Sequence, residues 1–316
     1  MTWLYFLIGI FLFLIIAVLT IAYITYRITF HSPDKLQNNI YYIPFDNLAP
    51  ERRKGMEDMI REFDKVPYES VTARSHDGLT LSARYVHVAD GAPYAICCHG
   101  YRGTSIRDFC GGGTLMMERG YNLLLIDQRG CRDSEGHAIT FGIKESRDVY
   151  TWIDYLKTRF GSDIEIALVG VSMGASTVLL ASGMGLPDNV RHVIADCPFS
   201  SPKEIIAKVC RDDHHIPPRL AMPFLSLGAR LFAGISLKDG KISEAVSHSP
   251  VEILLIHGEA DDFVPVDMSR HIAAQAPDRI TLHTFPNAEH ALSYTTDKER
   301  YRTITRDYLE KDRRIG

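Results

Sequence analysis

The stretch "IALVGVSMGAS" (residues 166–176) holds a serine between two glycines, Gly170-Val171-Ser172-Met173-Gly174. An apolar run, "IEIALV" (164–169), leads into it, and a helix-forming segment, "SMGASTVLLASGM", leads out. A strand that turns sharply into a helix leaves no room for side chains at positions 170 and 174. The same turn lifts the intervening hydroxyl clear of the sheet edge. The helix start adds free N–H groups and a partial positive charge. Ser172 is therefore a candidate nucleophile. A Gly-x-Ser-x-Gly string also arises by chance, so the segments around it must decide.

Upstream, "ESVTARS" and "LTLSARYVHV" alternate polar with apolar residues and are joined by His76-Asp77-Gly78, which predicts an antiparallel hairpin. Six short apolar runs follow: "YAICC" (94–98), "NLLLID" (122–127), "IEIALV" (164–169), "RHVIAD" (191–196), "EILLIH" (252–257) and "ITLHTF" (280–285). Helical patterns near 106–119, 143–160, 173–183, 267–276 and 298–311 separate most of them. The pattern predicts a mostly parallel, eight-stranded sheet with helices on both faces. Right-handed crossovers then gather the carboxyl ends of the parallel strands on one edge, where chemistry in such sheets is found. Residues 198–249 exceed what one crossover needs. Their prolines and apolar-faced helical pieces predict a small helical lid. Ile205, Ile206, Val209, Met222, Phe224, Leu225 and Phe232 are its candidates for lining an acyl pocket, with plain packing onto the sheet as the alternative.

A serine hydroxyl needs a base to take its proton, and that base needs an orienting carboxylate on the same edge. Asp261 follows "EILLIH" within "HGEADDFVP", and His290 follows "ITLHTF" within "NAEH". Asp262 and Asp196 compete for the acid role. His99 and His257 precede glycines at strand ends and suit loop geometry better than proton transfer.

Taken together, "HGYRGTS", "LLIDQRG…SEG", "GVSMGAS", "HGEADDFVP" and "NAEH" resemble the α/β-hydrolase superfamily in its serine-hydrolase branch. The chain looks like membrane-anchored bacterial members related to prolyl-oligopeptidase-like and lysophospholipase-like enzymes. The resemblance spans roughly residues 68–312. It implies Ser172 as nucleophile, Asp261 as acid, His290 as base, and an oxyanion hole from the backbone N–H groups of Met173 and Tyr101. No metal or organic cofactor is implied, and the implied substrate is a small-molecule acyl compound. Departures from the family pattern are Cys131-Arg132-Asp133-Ser134 where relatives read His-Gly-x-Ser, Ala175 in place of glycine, and Ala291 after the histidine. Ala175 tilts the reading away from peptidase activity.

The N-terminus carries no charged side chain from Met1 to Tyr26 and is long enough to cross a bilayer. A basic start, a short apolar region and an Ala-x-Ala exit, the marks of a signal peptide, are lacking, so residues 1–27 are expected to be a transmembrane anchor. Arg27, Lys35, Arg52, Arg53 and Lys54 follow the span, which predicts a cytoplasmic catalytic domain. Residues 28–67 form a connector whose helix after Pro50 carries Met56, Met59, Ile60 and Phe63 on one face, and residues 68–316 form the catalytic domain.

With 46% hydrophobic and 23% charged residues and a net charge of −4, the 316-residue chain has a globular composition and no basic stripe for nucleic acid. Six cysteines, two of them adjacent in one apolar run, suit buried thiols, and no Cys/His spacing suits zinc. No obligate protein partner is evident. The expected activity is hydrolysis of a carboxylic ester. A membrane-anchored serine peptidase is the enzymatic alternative, and a non-catalytic binding protein with the same fold is the alternative from another class.

Overall fold

The computed structural model describes residues 2–32, 40–44 and 48–311. The rest of the connector, including Pro33 and Lys35, lies outside the described residues, as do Met1 and residues 312–316.

The sheet is built from β1 (Glu69–Arg74), β2 (Thr80–Val86), β3 (Tyr94–Cys98), β4 (Asn122–Asp127), β5 (Ile166–Val171), β6 (Val190–Asp196), β7 (Ile253–Gly258) and β8 (Ile280–Phe285). Their spatial order is β1-β2-β4-β3-β5-β6-β7-β8. β1 and β2 pair antiparallel, as do β2 and β4; every pairing from β3 to β8 is parallel. The sheet is thus mixed, with its antiparallel pairings confined to the opening hairpin and its junction with β4. Strands β3, β4 and β7 are buried along their whole length, which is why they read as unbroken apolar runs. β2 keeps the alternation of a strand nearer the edge.

The helices are α1 (Thr2–Thr29), α2 (Pro50–Asp64), α3 (Ser105–Phe109), α4 (Gly112–Glu118), α5 (Glu145–Phe160), α6 (Met173–Ser182), α7 (Pro202–Asp212), α8 (Pro218–Gly228), α9 (Ile242–Ser247), α10 (Val266–Ala273), α11 (Ser293–Thr296) and α12 (Lys298–Leu309). They cover both faces of the sheet. Trp152 of α5, Leu179 of α6, Val246 of α9 and Ile272 of α10 belong to one core. Ile60 of α2, Phe109 of α3, Leu115 of α4 and Tyr301 of α12 belong to the other. Each fully buried large apolar side chain contributes about 1.5–3 kcal/mol, so the two cores hold the layers together. The helix expected over 106–119 is two short helices. The break falls at Gly111, where a Cβ would lie 2.4 Å from the Tyr294 ring.

The hairpin is tied to the parallel sheet by a buried ion cluster. Arg129 donates to both oxygens of Asp148, each at 2.6 Å, and to Asp77 in the Asp-Gly turn at 2.8 and 3.1 Å. A planar guanidinium suits such two-sided, bidentate pairing.

The segment expected as a lid folds as α7, α8, a π-helical turn (Ala229–Ala233) and α9. It follows the packing alternative and not the pocket-lining one. Ile205, Ile206 and Leu225 join the core beneath it, and the Phe232 ring lies 5.2 Å from Tyr23 and 5.4 Å from Tyr26 of α1. Gly228 lets α8 approach so closely that a Cβ there would sit 2.4 Å from the Ala22 carbonyl oxygen. Helix α1 continues past residue 27 to Thr29. Its last turns dock on the fold through buried Ala22 and Tyr26, while its large side chains from Trp3 to Ile21 are exposed.

Candidate active site

The turn after β5 has the geometry its glycines imply. Ser172 adopts φ +55° and ψ −118°, a strained conformation for a side-chain-bearing residue. A Cβ at Gly170 would lie 2.2 Å from the Gly174 carbonyl oxygen, and one at Gly174 would lie 1.8 Å from the Cys98 carbonyl oxygen. Neither position tolerates a larger residue. The Ser172 N–H donates to the Asp196 carbonyl at 2.8 Å, which fixes the turn against β6.

The structure brings Ser172, His290 and Asp261 together from three separate strand ends. His290 Nε2 lies 2.9 Å from Ser172 Oγ, and His290 Nδ1 lies 2.7 Å from Asp261 Oδ2. Asp261 is buried, which opposes its charge. The adjacent His290, together with hydrogen bonds from His257 and His290, outweighs burial and lowers its carboxyl pKa to about 2. An ionised carboxylate only accepts, so Nδ1 carries the proton and Nε2 is free to accept from the serine hydroxyl. The other carboxylate oxygen accepts from the N–H groups of Phe263 at 3.1 Å and Val264 at 2.8 Å. Gly258 makes room for the turn that carries His290, since a Cβ there would meet the Ala288 carbonyl at 2.2 Å.

The competing residues fall elsewhere. Asp262 lines the cavity mouth and is exposed. Asp196 is buried on the cavity wall, bonded to Tyr301 and not to His290. His257 Nε2 donates to the Val264 carbonyl at 2.8 Å and lies 3.2 Å from Asp261 Oδ2, so it braces the acid. The ring of His99 is locked with Nδ1 at 2.8 Å from the Gly100 carbonyl and Nε2 accepting from the Gln128 N–H at 3.1 Å.

Gly100, Tyr101 and Arg102 line the same cavity as Ser172. The Gly100 N–H donates to Asp108 Oδ2 at 2.7 Å, so it is already engaged, and the Gly103 N–H closes a turn onto the Gly100 carbonyl at 3.0 Å. The Tyr101 N–H has no acceptor among the described residues. Met173 is the first residue of α6, and its N–H has no intrahelical acceptor either. Asp108 escaped sequence reading because a carboxylate on a short helix carries no spacing signal. Burial opposes its charge, but Arg107, bonded to it at 2.7 Å, keeps its pKa below the usual value.

A cavity of about 560 Å³ opens at Ser172. Met56 and Met59 of α2, with Tyr42, Phe109, Tyr294 and Tyr301, are among its lining residues, beside charged groups such as Arg107 and Glu289. None of the lid residues named from the sequence lines it. The connector helix, expected only to pack on the domain, does so with Met56, Ile60 and Phe63 and also walls the cavity. Phe263 stands over His290 edge to face at 5.1 Å. Ligand atoms of Cys197, Asp261 and His290 lie within 4.8 Å of one another. His290 and Asp261 already satisfy each other there, and burial raises the Cys197 thiol pKa.

A mixed eight-stranded sheet with a strained serine turn after β5, and an aspartate and a histidine after β7 and β8, defines the α/β-hydrolase fold. The family model for that fold matches residues 96–211, and the chain has the α/β-hydrolase fold. It is 26% identical over 253 residues to the uncharacterized protein YqkD of Bacillus subtilis (strain 168), covering 80% of this chain and 83% of that one. It is 27% identical to the uncharacterized protein YfhR of Salmonella typhi, over 76% of this chain and 80% of that one. Among solved structures, the Pyrococcus furiosus esterase Pf2001 superposes with a TM-score of 0.63 at 20% identity, covering 84% of this chain and 95% of the esterase. Est1E from Butyrivibrio proteoclasticus, solved with ferulic acid, superposes with a TM-score of 0.57 at 20% identity, over 76% and 99% of the two chains.

Proposed function

We propose that the protein is a serine hydrolase that cleaves carboxylic esters through an acyl-enzyme. The observation that carries this reading is the continuous hydrogen-bond chain from Ser172 Oγ through His290 to Asp261, at 2.9 and 2.7 Å. Ser172 Oγ attacks the ester carbonyl carbon while His290 Nε2 takes its proton. The oxyanion accepts hydrogen bonds from the N–H groups of Met173 and Tyr101, each worth about 3–4 kcal/mol in such sites. As the intermediate collapses, the carbonyl re-forms, the alkoxy oxygen leaves and His290 protonates it. Water, deprotonated by His290, then attacks the acyl-serine; the acid departs and the serine is restored. The largely apolar cavity lining favours an apolar acyl group. Esterase names among the structural neighbours agree with an ester substrate.

Helix α1 is long and apolar enough to cross a membrane, and we read it as a single-pass anchor. Its buried contacts with α8 support its retention in the mature protein. Arg27, Arg52, Arg53 and Lys54 after the span favour a cytoplasmic catalytic domain. Protease accessibility in intact cells tests that orientation.

The catalytic reading is tested with Ser172→Ala, which is expected to abolish both hydrolysis of p-nitrophenyl butyrate and labelling by a fluorophosphonate. Full turnover by the variant, or labelling of another residue in the wild type, would overturn it.

A further inference from the structure

The loop that carries the Tyr101 N–H is held by the end of the apolar N-terminal helix. Tyr101 Oη donates to the Thr29 carbonyl at 2.8 Å. Arg102 Nη2 donates to the carbonyls of Ile28 at 2.8 Å and His31 at 3.0 Å. Two of these acceptors lie in the last turn of α1, where carbonyls lack intrahelical partners and the helix dipole is negative, so a guanidinium is drawn there. Arg102 also lies over the Tyr101 ring at 4.9 Å. The ring stacks on Phe141 at 5.2 Å, and Phe141 packs on buried Phe30 at 5.6 Å.

Arg102 has φ +48°, a left-handed conformation that a side-chain-bearing residue keeps only when its surroundings impose it. The surroundings that do so here are the carbonyls of α1 and the residues after it. That segment is itself fixed on its far side: Ile139 N–H donates to the Phe30 carbonyl at 2.7 Å and Ser32 N–H to the His137 carbonyl at 3.2 Å. On the inner side, Asp108 holds Gly100, whose Cβ position would be 3.4 Å from Ser172 Cβ. The peptide joining Gly100 to Tyr101 is thus clamped between Asp108 and the end of a helix whose first twenty or so residues face outward.

We infer that the Tyr101 hydroxyl and the Arg102 guanidinium are positioning groups that use the C-terminal turn of α1 to aim the Tyr101 N–H at the oxyanion, so that the membrane helix is a working part of the active site. This rests on the ester-hydrolase reading above. A donor displaced by about 1 Å loses much of its effect on the transition state, on the order of a hundredfold in rate for misplaced groups. It costs little in ground-state binding, because the oxyanion exists only after attack. A clamp of this kind therefore acts on kcat, whereas a purely structural contact acts on stability.

The test uses the full chain in lipid nanodiscs with p-nitrophenyl butyrate. Tyr101→Phe keeps the ring and the backbone and removes one bond; kcat is expected to fall about threefold to tenfold with KM within about twofold. Arg102→Met is expected to lower kcat roughly tenfold to a hundredfold, and Arg102→Lys to recover part of that loss. Affinity for a trifluoromethyl ketone, which forms the oxyanion on Ser172, is expected to fall in parallel. Wild-type kcat in Arg102→Met, or a lower melting temperature with kcat unchanged, would overturn the inference. Amide hydrogen exchange at residues 100–103 supplies a readout that needs no turnover: faster exchange in Arg102→Met is expected, and unchanged exchange overturns the clamp. If activity survives in Ser172→Ala, the hydrolase reading fails, and the exchange experiment still judges the clamp.

Discussion

Tyr301 donates a hydrogen bond to Asp196 Oδ2 across 3.1 Å, joining α12 to the end of β6 on the wall of the cavity. The other oxygen, Oδ1, is buried without a hydrogen-bond partner among the described residues. Burial raises this carboxyl from 3.8 to about 6, against the pull of nearby His257 and the Tyr301 bond.

The sign of the pH effect follows. A folded pKa above the unfolded one means that the native state binds more protons between the two values. Stability therefore falls as pH rises from about 4 through about 6, then levels. Asp196→Asn removes that slope and is expected to stabilise the protein at pH 8 by on the order of 1–3 kcal/mol, with little gain near pH 4. Thermal unfolding of both proteins across this range checks it; equal melting temperatures at pH 8 would show that the carboxylate is compensated in the native state.

Asp261 behaves in the opposite sense, its carboxyl held at about 2 by His290 and His257 despite burial. Asp261→Asn keeps the shape but reverses the hydrogen-bond direction at His290 Nδ1, favouring the wrong tautomer. Expected is a fall in kcat of roughly 10³–10⁴-fold, the scale on which loss of an orienting acid acts. Steady-state kinetics beside circular dichroism separates this from unfolding.

Met59, half-buried on α2, faces the cavity. Met59→Trp is expected to shorten the preferred acyl chain. Hydrolysis of p-nitrophenyl octanoate should drop at least tenfold relative to the acetate, since one methylene in a fitted pocket is worth about 1–3 kcal/mol. An equal loss on both esters would assign Met59 to packing alone.

A methyl group on Gly174 would fall 1.8 Å from the Cys98 carbonyl oxygen, far inside contact distance. Gly174→Ala must therefore push β3 and α6 apart, and a cost above about 4 kcal/mol is expected, as for severe core overpacking. Expression of folded protein, measured by detergent-solubilised yield and melting temperature, reports the outcome.

The sheet was legible because its buried strands are unbroken apolar runs, and the serine turn because the glycines at 170 and 174 answer to a steric need that any such turn has. Asp261 and His290 were legible by their place just after strand ends. The cavity wall was not. Met56 and Met59 repeat at helical spacing, and that spacing is the same whether a helix merely packs or also lines a cavity. The lid residues failed for the same reason: an apolar helix face says that something is covered, not what. For α7 it is the core beneath; for α8 it is the core and α1. The helix expected over 106–119 is interrupted at the Gly111-Gly112-Gly113 run, residues of poor helix propensity, and the Tyr294 ring, nearly two hundred residues away, fills the space beside Gly111. Asp108 was unreadable because its link to the site is the Gly100 N–H, and a bond to backbone leaves no trace in side-chain pattern.

The close seat of Gly228 against Ala22 bears on how a shortened version of the chain should be made. Trimming the chain after Thr29 would lay bare the faces of α8 and Phe232 that α1 now covers, inviting self-association. A cut near Leu19 discards most of the greasy segment yet keeps Ala22, Tyr26 and Phe30 in their sockets. The useful boundary for protein engineering thus runs through the helix and not at its end.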